Sequence, residues 1–369
     1  MNDDDLVGQE TGGAGGEPAR LRATRRAMLQ GALGAGTLAT LAAAGVSPAL
    51  AATGGEGDFL PHKKWKFVFV NHVTTNPFFV PTQYGIQDAC ALLGCSYQWT
   101  GSQKSIASEM VNAMDTAIAG GADAIAVCLV DQTAFNAPTD KAMKAGIPVF
   151  AYNADATGNN RLAYVGQDLY QAGVALGERI VSLVDEGDVV GFIATPGQLN
   201  IQPRLDGAAA AIKKSGKKIN FEQIATGPTV NEEVSRVDSY YTGHTGLKGM
   251  FAVDAGSTMA VAETMAKYGL HAKGVRAGGF DLLPKTLQEI KAGNLDFTID
   301  QQPYLQGFYT VMEMFLFKLS GGLTGPAEIN TGLKFVSQGD VDPYLSTQSR
   351  FEGNSSEQKV LSRSGPIPA

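Results

Sequence analysis

The chain has 369 residues and a formal net charge of −7, with 29 Lys and Arg against 36 Asp and Glu. This acidic balance excludes the strongly basic surface that a nucleic-acid-binding protein needs. Beyond residue 51 no apolar run is long enough to cross a bilayer, so we expect a soluble globular protein of one or two domains. The three cysteines lack CxxC spacing, which disfavours a zinc site or a disulfide framework. Cys90 and Cys95 flank the end of a predicted helix and could pair in an oxidising compartment.

The first 51 residues have the layout of an export signal. Arg25 and Arg26 precede an apolar stretch rich in Gly, Ala and Leu, which ends in small residues. The paired arginines predict a twin-arginine signal peptide with cleavage after Ala51, and therefore export to the periplasm, the cell envelope or the extracellular space. An uncleaved membrane anchor is the alternative, which the glycine interruptions and the scarcity of Ile and Val disfavour.

Short β-rich segments alternate with helical segments through the rest of the chain. The predicted strands are residues 66–70, 124–130, 147–152, 189–194, 249–253 and 275–280. The predicted helices are residues 105–119, 134–145, 201–215 and 284–292, each followed by glycine, the expected stop signal. Such alternation predicts parallel sheets covered on both faces. Because it runs twice, it predicts two doubly wound α/β lobes.

A strand and a helix follow the second lobe. The strand is predicted at residues 297–299 and the helix at residues 304–319, where Pro303 suits its first turn. We expect these late elements to return and pack on the first lobe, which makes the lobes discontinuous. Several chain crossings would restrict relative motion to a hinge, expected near Gly166, Gln301 and residues 329–335.

Polar side chains collect in the loops that follow the strands, where doubly wound sheets carry their functional residues. They are His72, Asn76, Asn153, Asp155, Arg204, Asp254, Asp281 and Gln301. No nucleophile–base pair, HExxH motif or phosphate-binding loop accompanies them, and His72 and His244 lack a spaced partner for a metal. The sequence therefore predicts a binding protein rather than an enzyme, with no cofactor and no metal.

Phe78 and Phe79 stand side by side in the loop after the first strand. Planar amides, carboxylates and a guanidinium suit the hydroxyl groups of a sugar, and aromatic rings cover its C–H face. We therefore predict a neutral sugar held between the two lobes, with Phe78 and Phe79 as platform and lid. The alternative places one or both rings in the core.

Simpler roles remain open for the polar residues. Asn76 and Asn153 suit turns, and Asp254 and Asp281 suit the N-caps of the helices that follow them. Arg204 could form a surface ion pair of little energetic weight.

Five segments in colinear order carry a resemblance to a known family. They are TNPFFVPTQYGIQDACALLG, AIAVCLVDQTAFNAPTDKAMKAGIPVFAYNADA, PRLDGAAAAI, MFAVDAGSTMAVAETM and AGGFDLLPKTLQEIKAGNLDFTIDQQP. Over residues 66–335 the chain resembles the type I solute-binding proteins of bacterial ABC sugar importers, in particular the ribose-binding branch. The resemblance implies the periplasmic binding protein-like I fold, with two doubly wound parallel-sheet lobes joined by a multi-strand hinge.

The implied domain organisation has two discontinuous lobes. Residues 1–51 are the export signal, 52–64 a linker, 65–166 with 302–330 the N-terminal lobe, 167–301 with 331–350 the C-terminal lobe, and 351–369 a tail. The resemblance implies a monomer that delivers a sugar or sugar alcohol to the membrane permease of an ABC importer. A sugar sensor that presents its ligand to a membrane receptor, and a secreted α/β enzyme, are the alternatives. LacI-type repressors share the fold but carry a helix-turn-helix where this chain has its export signal.

The ligand contacts that the resemblance implies come from both lobes. They are Asn76, Phe78, Phe79 and Asn153 from the first lobe, and Arg204, Asp254, Asp281 and Gln301 from the second. His72, where a small polar residue is usual, completes the predicted site. Three further positions depart from the family pattern, as His72 does. Ala154 replaces an arginine, Asn153 stands where Asp is frequent, and Asp254 stands where the ribose-binding branch has Asn. The sugar is therefore left open between a pentose, a hexose and an open-chain sugar alcohol.

Overall fold

A computed structural model describes residues 60–346 and Arg350. The predicted export signal, most of the predicted linker and the predicted tail lie outside the described residues. By its internal contacts the chain divides into two units, residues 1–62 and 63–369. Of the first unit only Leu60 to His62 are described, and they form neither helix nor strand. The second unit contains every helix and strand named below.

The described strands form two six-stranded sheets. They are β1 (Lys66–Asn71), β2 (Ser96–Gly101), β3 (Ala124–Val127), β4 (Val149–Tyr152), β5 (Tyr164–Gly166), β6 (Glu186–Ile193), β7 (Lys218–Ala225), β8 (Gly249–Ala252), β9 (Arg276–Phe280), β10 (Phe297–Asp300), β11 (Glu328–Asn330) and β12 (Lys334–Val336). The first sheet has the order β11-β5-β4-β3-β1-β2 and the second the order β12-β10-β9-β8-β6-β7. All neighbouring strands run parallel except β10 and β12.

The helices connect these strands. They are α1 (Val80–Leu92), α2 (Ala107–Ala119), α3 (Asn136–Lys144), α4 (Leu169–Leu183), α5 (Gln202–Ser215), α6 (Val230–Gly243), α7 (Ala255–Tyr268), α8 (Pro284–Lys291), α9 (Pro303–Ser320) and α10 (Asp342–Ser346). Two short 3₁₀ turns lie at Pro77–Phe79 and His271–Lys273. The predicted fold class, two doubly wound parallel α/β lobes, is confirmed.

Central and edge strands differ in composition. All residues of β3 and β4 are buried, because helices cover both faces of a parallel sheet. The edge strands β2 and β7 contain no fully buried residue. Their polar sequences, SYQWTG and KINFEQIA, reflect this, and the sequence analysis did not predict them as strands.

The late strand and helix go to different lobes. The strand predicted at residues 297–299 is β10, which pairs with β9 in the second sheet, so the expectation that it returns to the first lobe is wrong. The helix α9 does pack on α1 of the first lobe. Gly85 of α1 lies so close to α9 that a Cβ atom there would collide with the carbonyl oxygen of Tyr304. The two backbones can meet only because this position has no side chain.

Three chain segments run side by side between the lobes, after β5, after β10 and after β11. The Thr331 N–H donates to the Gly166 carbonyl oxygen at 2.9 Å, and the Thr331 hydroxyl donates to the Gln301 carbonyl oxygen at 2.8 Å. The Gln167 side-chain amide donates to the Gly332 carbonyl oxygen at 3.1 Å. We propose that the predicted limits of the lobes, 166/167, 301/302 and 330/331, hold, because β5 and β11 belong to the first sheet and β6 and β12 to the second.

The described part of the chain contains no helix with the length and apolar character that a bilayer crossing needs. Cys90, Cys95 and Cys128 are buried free thiols, so the disulfide that the sequence left open is not formed in this structure. Burial raises the pKa of Cys90 to about 12 and that of Cys95 to about 11. Both thiols are therefore poor nucleophiles near neutral pH.

Candidate functional site

One cavity is lined by residues that follow strands of both sheets. They are His72, Val73, Asn76, Phe78, Phe79, Asn153, Asn200, Ile201, Arg204, Asp254, Ala255, Asp281 and Gln301. The set contains all nine residues that the sequence predicts as ligand contacts. Its volume is about 50 Å³, room for a few water molecules, so a larger ligand requires the two lobes to part.

Asn76 positions the two adjacent aromatic rings. Its side-chain oxygen accepts a hydrogen bond from the Phe78 N–H at 3.0 Å and so caps the 3₁₀ turn Pro77–Phe79. The turn sets the rings of Phe78 and Phe79 edge to face, with centroids 4.7 Å apart. The turn-forming role that the sequence left open for Asn76 is therefore present, together with its place on the cavity wall.

Phe79 is both a core residue and a cavity residue. It is only 1% exposed, and its ring packs against His72, with centroids 5.3 Å apart, and against Trp99, with centroids 5.8 Å apart. Phe78 is 9% exposed and lies nearer the surface. The core alternative is thus correct for both rings, and it does not exclude a ligand contact, since both also line the cavity.

His72 reaches across the cleft to Asn200, a residue that the sequence analysis did not predict. The Asn200 Nδ2 and the His72 Nε2 are 3.1 Å apart. Burial lowers the pKa of His72 to about 3, so its imidazole is neutral near pH 7. With Nε2 as acceptor, the proton is on Nδ1, and this atom has no hydrogen-bond partner among the described residues. The buried Asn200 Oδ1 also has no hydrogen-bond partner among these residues. The pair therefore has one donor and one acceptor to offer a ligand.

The two lobes touch at further points around the cavity. The Ser105 hydroxyl donates to the Gln198 side-chain oxygen at 2.7 Å, and the Gln198 amide donates back to the Ser105 carbonyl oxygen at 3.1 Å. The Leu199 N–H donates to the Val130 carbonyl oxygen at 3.0 Å. Gln198 and Leu199 follow β6, whereas Ser105 and Val130 lie in the first lobe. This arrangement closes the cleft.

Arg204 lies in the first turn of α5, where this helix crosses α4 at close range. A Cβ atom on Gly173 of α4 would collide with the backbone of Arg204. The absence of a side chain at Gly173 therefore lets the two helices meet, and their contact carries the Arg204 backbone to the wall of the cavity.

The Arg204 guanidinium is buried, at 2% exposure, so the surface ion pair that the sequence left open is wrong. Its Nη1 donates to the Val253 carbonyl oxygen at 2.8 Å and its Nη2 to the Gln167 side-chain oxygen at 3.0 Å. Its Cζ lies 4.1 Å from the centroid of the Phe280 ring. Burial lowers the pKa of Arg204, an effect that the charge of Asp281 opposes.

Two features leave the Arg204 guanidinium ready for a ligand. No carboxylate lies within ion-pair distance of it in the described ranges, and its buried Nε has no hydrogen-bond partner there. A buried donor without an acceptor is costly, and a ligand hydroxyl would remove that cost.

Asp254 combines helix capping with a place on the cavity wall. Its Oδ1 accepts the Ser257 N–H at 2.9 Å and thereby caps α7. Its Oδ2 accepts the Ala194 N–H at 2.8 Å, which ties α7 to the end of β6. The capping role that the sequence left open is therefore present.

A series of side-chain amides connects the first lobe to the second. The Asn153 Nδ2 donates to Gln306 Oε1 at 3.1 Å, and the Gln306 Nε2 donates to Gln301 Oε1 at 3.0 Å. The Gln301 Nε2 then donates to Asp281 Oδ1 at 2.7 Å. Three of these four residues line the cavity, and Gln306 joins them from α9.

Asn153 and Asp281 have backbone conformations that favour glycine. Their φ angles are 64° and 77°, in the left-handed region. Non-glycine residues held there cluster at functional sites. Burial raises the pKa of Asp281 to about 7, although the charge of Arg204 and the hydrogen bond from Gln301 act in the opposite direction.

The comparison with known families decides the relationship. Residues 67–318 match the family model described as a periplasmic binding protein domain. The chain belongs to this family. The resemblance predicted from the five sequence segments is therefore confirmed.

Individual relatives extend this result. A xylose/arabinose-binding protein, XylF, from Sulfolobus acidocaldarius is 49% identical over 321 residues, which are 83% of this chain and 79% of the relative. The ribose import binding protein RbsB of Haemophilus influenzae is 25% identical over 270 residues, 71% of this chain and 88% of the relative. An ABC transporter solute-binding protein from Burkholderia graminis, solved in complex with D-arabinose, matches with a TM-score of 0.71 and 26% identity, over 76% of this chain and 97% of that one.

Within this periplasmic binding protein, four cavity residues were not predicted: Val73, Asn200, Ile201 and Ala255. Asn200 had a usable signal, since it is a planar amide in the loop after β6, only four positions before Arg204. Gln306 had none, because a glutamine in the first turns of a helix reads as a surface residue.

Proposed function

We propose that the chain is an extracytoplasmic solute-binding protein that captures a sugar in the cleft between its lobes and delivers it to an ABC-type importer. The observation that carries this proposal is the composition of one cavity wall. Aromatic rings, planar amides, carboxylates and a guanidinium converge there from the ends of strands in both sheets. Hydroxyl groups both donate and accept, and this mixture offers them both kinds of partner.

A pentose is the ligand that the relatives of this chain favour. The relative that shares 49% identity is named for xylose and arabinose, and the structure that shares 26% identity holds D-arabinose. Among the polar groups, Arg204 and Asp254 provide a fixed donor and a fixed acceptor, while Phe78 and Phe79 provide an apolar face.

Binding would proceed by closure of the lobes around the sugar. His72, Phe78, Phe79 and Asn153 belong to the first sheet's loops, whereas Arg204, Asp254 and Asp281 follow strands of the second, so each lobe alone makes only part of the contacts. A ligand that contacts both lobes stabilises the closed state relative to the open one, which is what a population shift requires. The three side-by-side connecting segments would act as the hinge.

The site is suited to binding rather than catalysis. His72 is the histidine of the cavity, and a pKa of about 3 makes it a poor general base near pH 7. Its Nε2 is already paired with the Asn200 amide. We therefore propose that the protein is not an enzyme, that it is exported as a monomer, and that its macromolecular partner is a membrane permease encoded as a separate chain.

Thermal shift and calorimetry on the protein without its first 51 residues test this proposal. D-xylose, L-arabinose and D-ribose, a hexose series and xylitol would be compared, since a ligand that binds only the folded state raises the melting temperature. We expect saturable binding of at least one pentose. X-ray scattering should show a smaller radius of gyration with that pentose bound. Binding of none of these compounds, or binding without compaction, would contradict the proposal.

A further inference from the structure

Glu233 is a buried carboxyl group that the proposed sugar site does not use. It lies in the first turn of α6 and is only 3% exposed. Its Oε2 is buried, and no donor group of the described residues faces it. An ionised carboxylate in such a place is costly, because no donor replaces the water that it loses. Its protonation state therefore needs a physical explanation.

The side chain beside Glu233 is that of Asp254, which lines the cavity. The Glu233 side chain hydrogen-bonds to that of Asp254, and the negative charge of Asp254 disfavours a second charge on Glu233. The two oxygens of Asp254 accept backbone N–H groups from Ser257 and Ala194, as a carboxylate does. The shared proton therefore belongs to Glu233, which donates it to Asp254.

The charges around Glu233 support this assignment. Burial raises the pKa of Glu233 to about 10, and the charges of Asp254, the N-cap of α7, and of Glu232, the neighbouring residue on α6, act in the same direction. No basic side chain of the described residues offsets them. Thr226 and Ser257 are uncharged and pair their hydroxyls with each other at 2.8 Å, whereas Arg204 and Asp281, which line the cavity with Asp254, interact with it electrostatically. A protonated Oε2 donates rather than accepts, which explains why no donor is aimed at this atom.

Gly256 makes room for this carboxyl group. A Cβ atom at Gly256 would overlap the Glu233 side-chain oxygens. Ala255, between Gly256 and Asp254, lines the cavity. Three consecutive residues at the start of α7 therefore connect the cavity wall to Glu233, and any side chain at Gly256 would push the two carboxyl groups apart.

We propose that Glu233 is a positioning residue of the sugar site: a neutral acid that donates a hydrogen bond to Asp254 and holds its carboxylate in place for a ligand hydroxyl. This inference rests on the proposed function. A carboxylate has about four acceptor positions. Two of those on Asp254 go to backbone N–H groups and one to Glu233, which leaves one for the ligand. Fixing the carboxylate before binding removes part of the ordering cost that binding would otherwise carry.

Infrared difference spectra of the ligand-free protein test the proton itself, whatever the ligand. At about pH 8.5, below the folded pKa of Glu233 and above that of a free carboxyl group, we expect the C=O band of a neutral carboxylic acid. Glu233→Gln should abolish this band. Glu232→Gln, a matched change at the neighbouring position of the same helix, should leave it. Absence of the band from the wild-type protein, or its survival in Glu233→Gln, overturns the assignment.

Calorimetry with D-xylose or L-arabinose at neutral pH tests the positioning role. Glu233→Gln keeps a donor for Asp254 and should bind within about twofold of wild type, whereas Glu233→Leu should lose about tenfold in affinity. Gly256→Ala retains Glu233 but displaces its side chain, so it should show a similar loss of affinity. This variant replaces Glu233→Leu in the test if Glu233→Leu does not fold. Glu232→Gln should bind as wild type. Wild-type affinity in both Glu233→Leu and Gly256→Ala contradicts the positioning role. An equal loss of affinity in Glu233→Gln and Glu233→Leu contradicts it as well. If the wild type binds no pentose, the proposed function and the positioning role are both wrong. The infrared spectra still show whether Glu233 is protonated.

Discussion

The side-chain amide of Asn153 donates to the side-chain oxygen of Gln306 at 3.1 Å, which links the loop after β4 to the start of α9. Gln306 continues this link to Gln301, and Gln301 continues it to Asp281 in the other lobe. An ionised Asp281 only accepts hydrogen bonds, so it fixes the direction of every donor in the series. Gln306, which does not line the cavity, therefore connects Asn153 and Gln301, which do.

Replacing Gln306 by Leu should weaken pentose binding by about tenfold, because the amides of Asn153 and Gln301 lose a common partner and no longer hold one orientation. Calorimetry at neutral pH measures this loss. Gln288→Leu, at an exposed position of α8, is the matched control and should bind as wild type. Equal affinity of the two variants would show that the amide series does not orient the site.

Replacing Arg204 by Ala should weaken pentose binding by about 1.5–3 kcal/mol for each hydrogen bond that its charged guanidinium donates to the sugar. The guanidinium is buried, and its Nε has no hydrogen-bond partner in the described ranges, so this donor is available to a ligand hydroxyl. Lys213→Ala, at an exposed position of the same helix, is the control. A folded Arg204→Ala protein with unchanged affinity removes this residue from the site.

The stability of the ligand-free protein should depend on pH through Asp281. Burial raises its pKa to about 7, above the value of an unfolded chain. Its contribution to the free energy of unfolding is therefore complete below about pH 4 and is lost as the pH rises through about 7. Urea unfolding at several values between about pH 4 and 8 measures this, and Asp281→Asn should give a shallower decline than the wild type.

Glu233 contributes to the same curve over a wider range, since its pKa is raised to about 10 by burial first and by Asp254 second. Its contribution is complete below about pH 4 and declines until the pH passes about 10. Glu233→Gln therefore provides the background against which the effect of Asp281 is read. If the Glu233→Gln protein and the double variant Glu233→Gln/Asp281→Asn show parallel dependence of the free energy of unfolding on pH, Asp281 does not titrate in this range.

The sequence pattern predicted the central strands of each sheet but not the edge strands β2 and β7. The central strands β3 and β4 are short, apolar and buried on both sides, and they are bounded by glycine-terminated helices. The edge strands β2 and β7 each pair with one described strand only, and their sequences are largely polar because none of their residues is fully buried. Their propensity alone does not separate them from loops, and only the pairing with β1 and β6 makes them strands.

The site residues were predicted from their position directly after a predicted strand. Residues such as Asp254 and Asp281 directly follow strands, so the topology of a doubly wound sheet brings them to one edge. Asn200 and Gln306 are placed by other means, the first by a contact across the closed cleft and the second by the packing of α9 on α1. Long-range packing of this kind leaves no periodic pattern in the sequence.

Phe79 and Phe78 should respond differently to truncation. Phe79 is packed between His72 and Trp99, so Phe79→Ala leaves a cavity in the core and should lower the free energy of unfolding by about 3–5 kcal/mol. Phe78 is the more exposed ring, and Phe78→Ala should cost less in stability. Both variants lose part of the apolar wall and should bind the pentose more weakly.

Paired measurements separate the two effects, with urea unfolding for stability and calorimetry for affinity on the same preparations. Phe135 is also a fully buried phenylalanine in the same hydrophobic core as Phe79, but it does not line the cavity, so Phe135→Ala is the matched control. It should lose stability as Phe79→Ala does but keep its affinity, because the cavity wall is intact. If Phe79→Ala also keeps its affinity in the folded protein, the ring supports only the core, and Phe78 alone would remain as the aromatic contact.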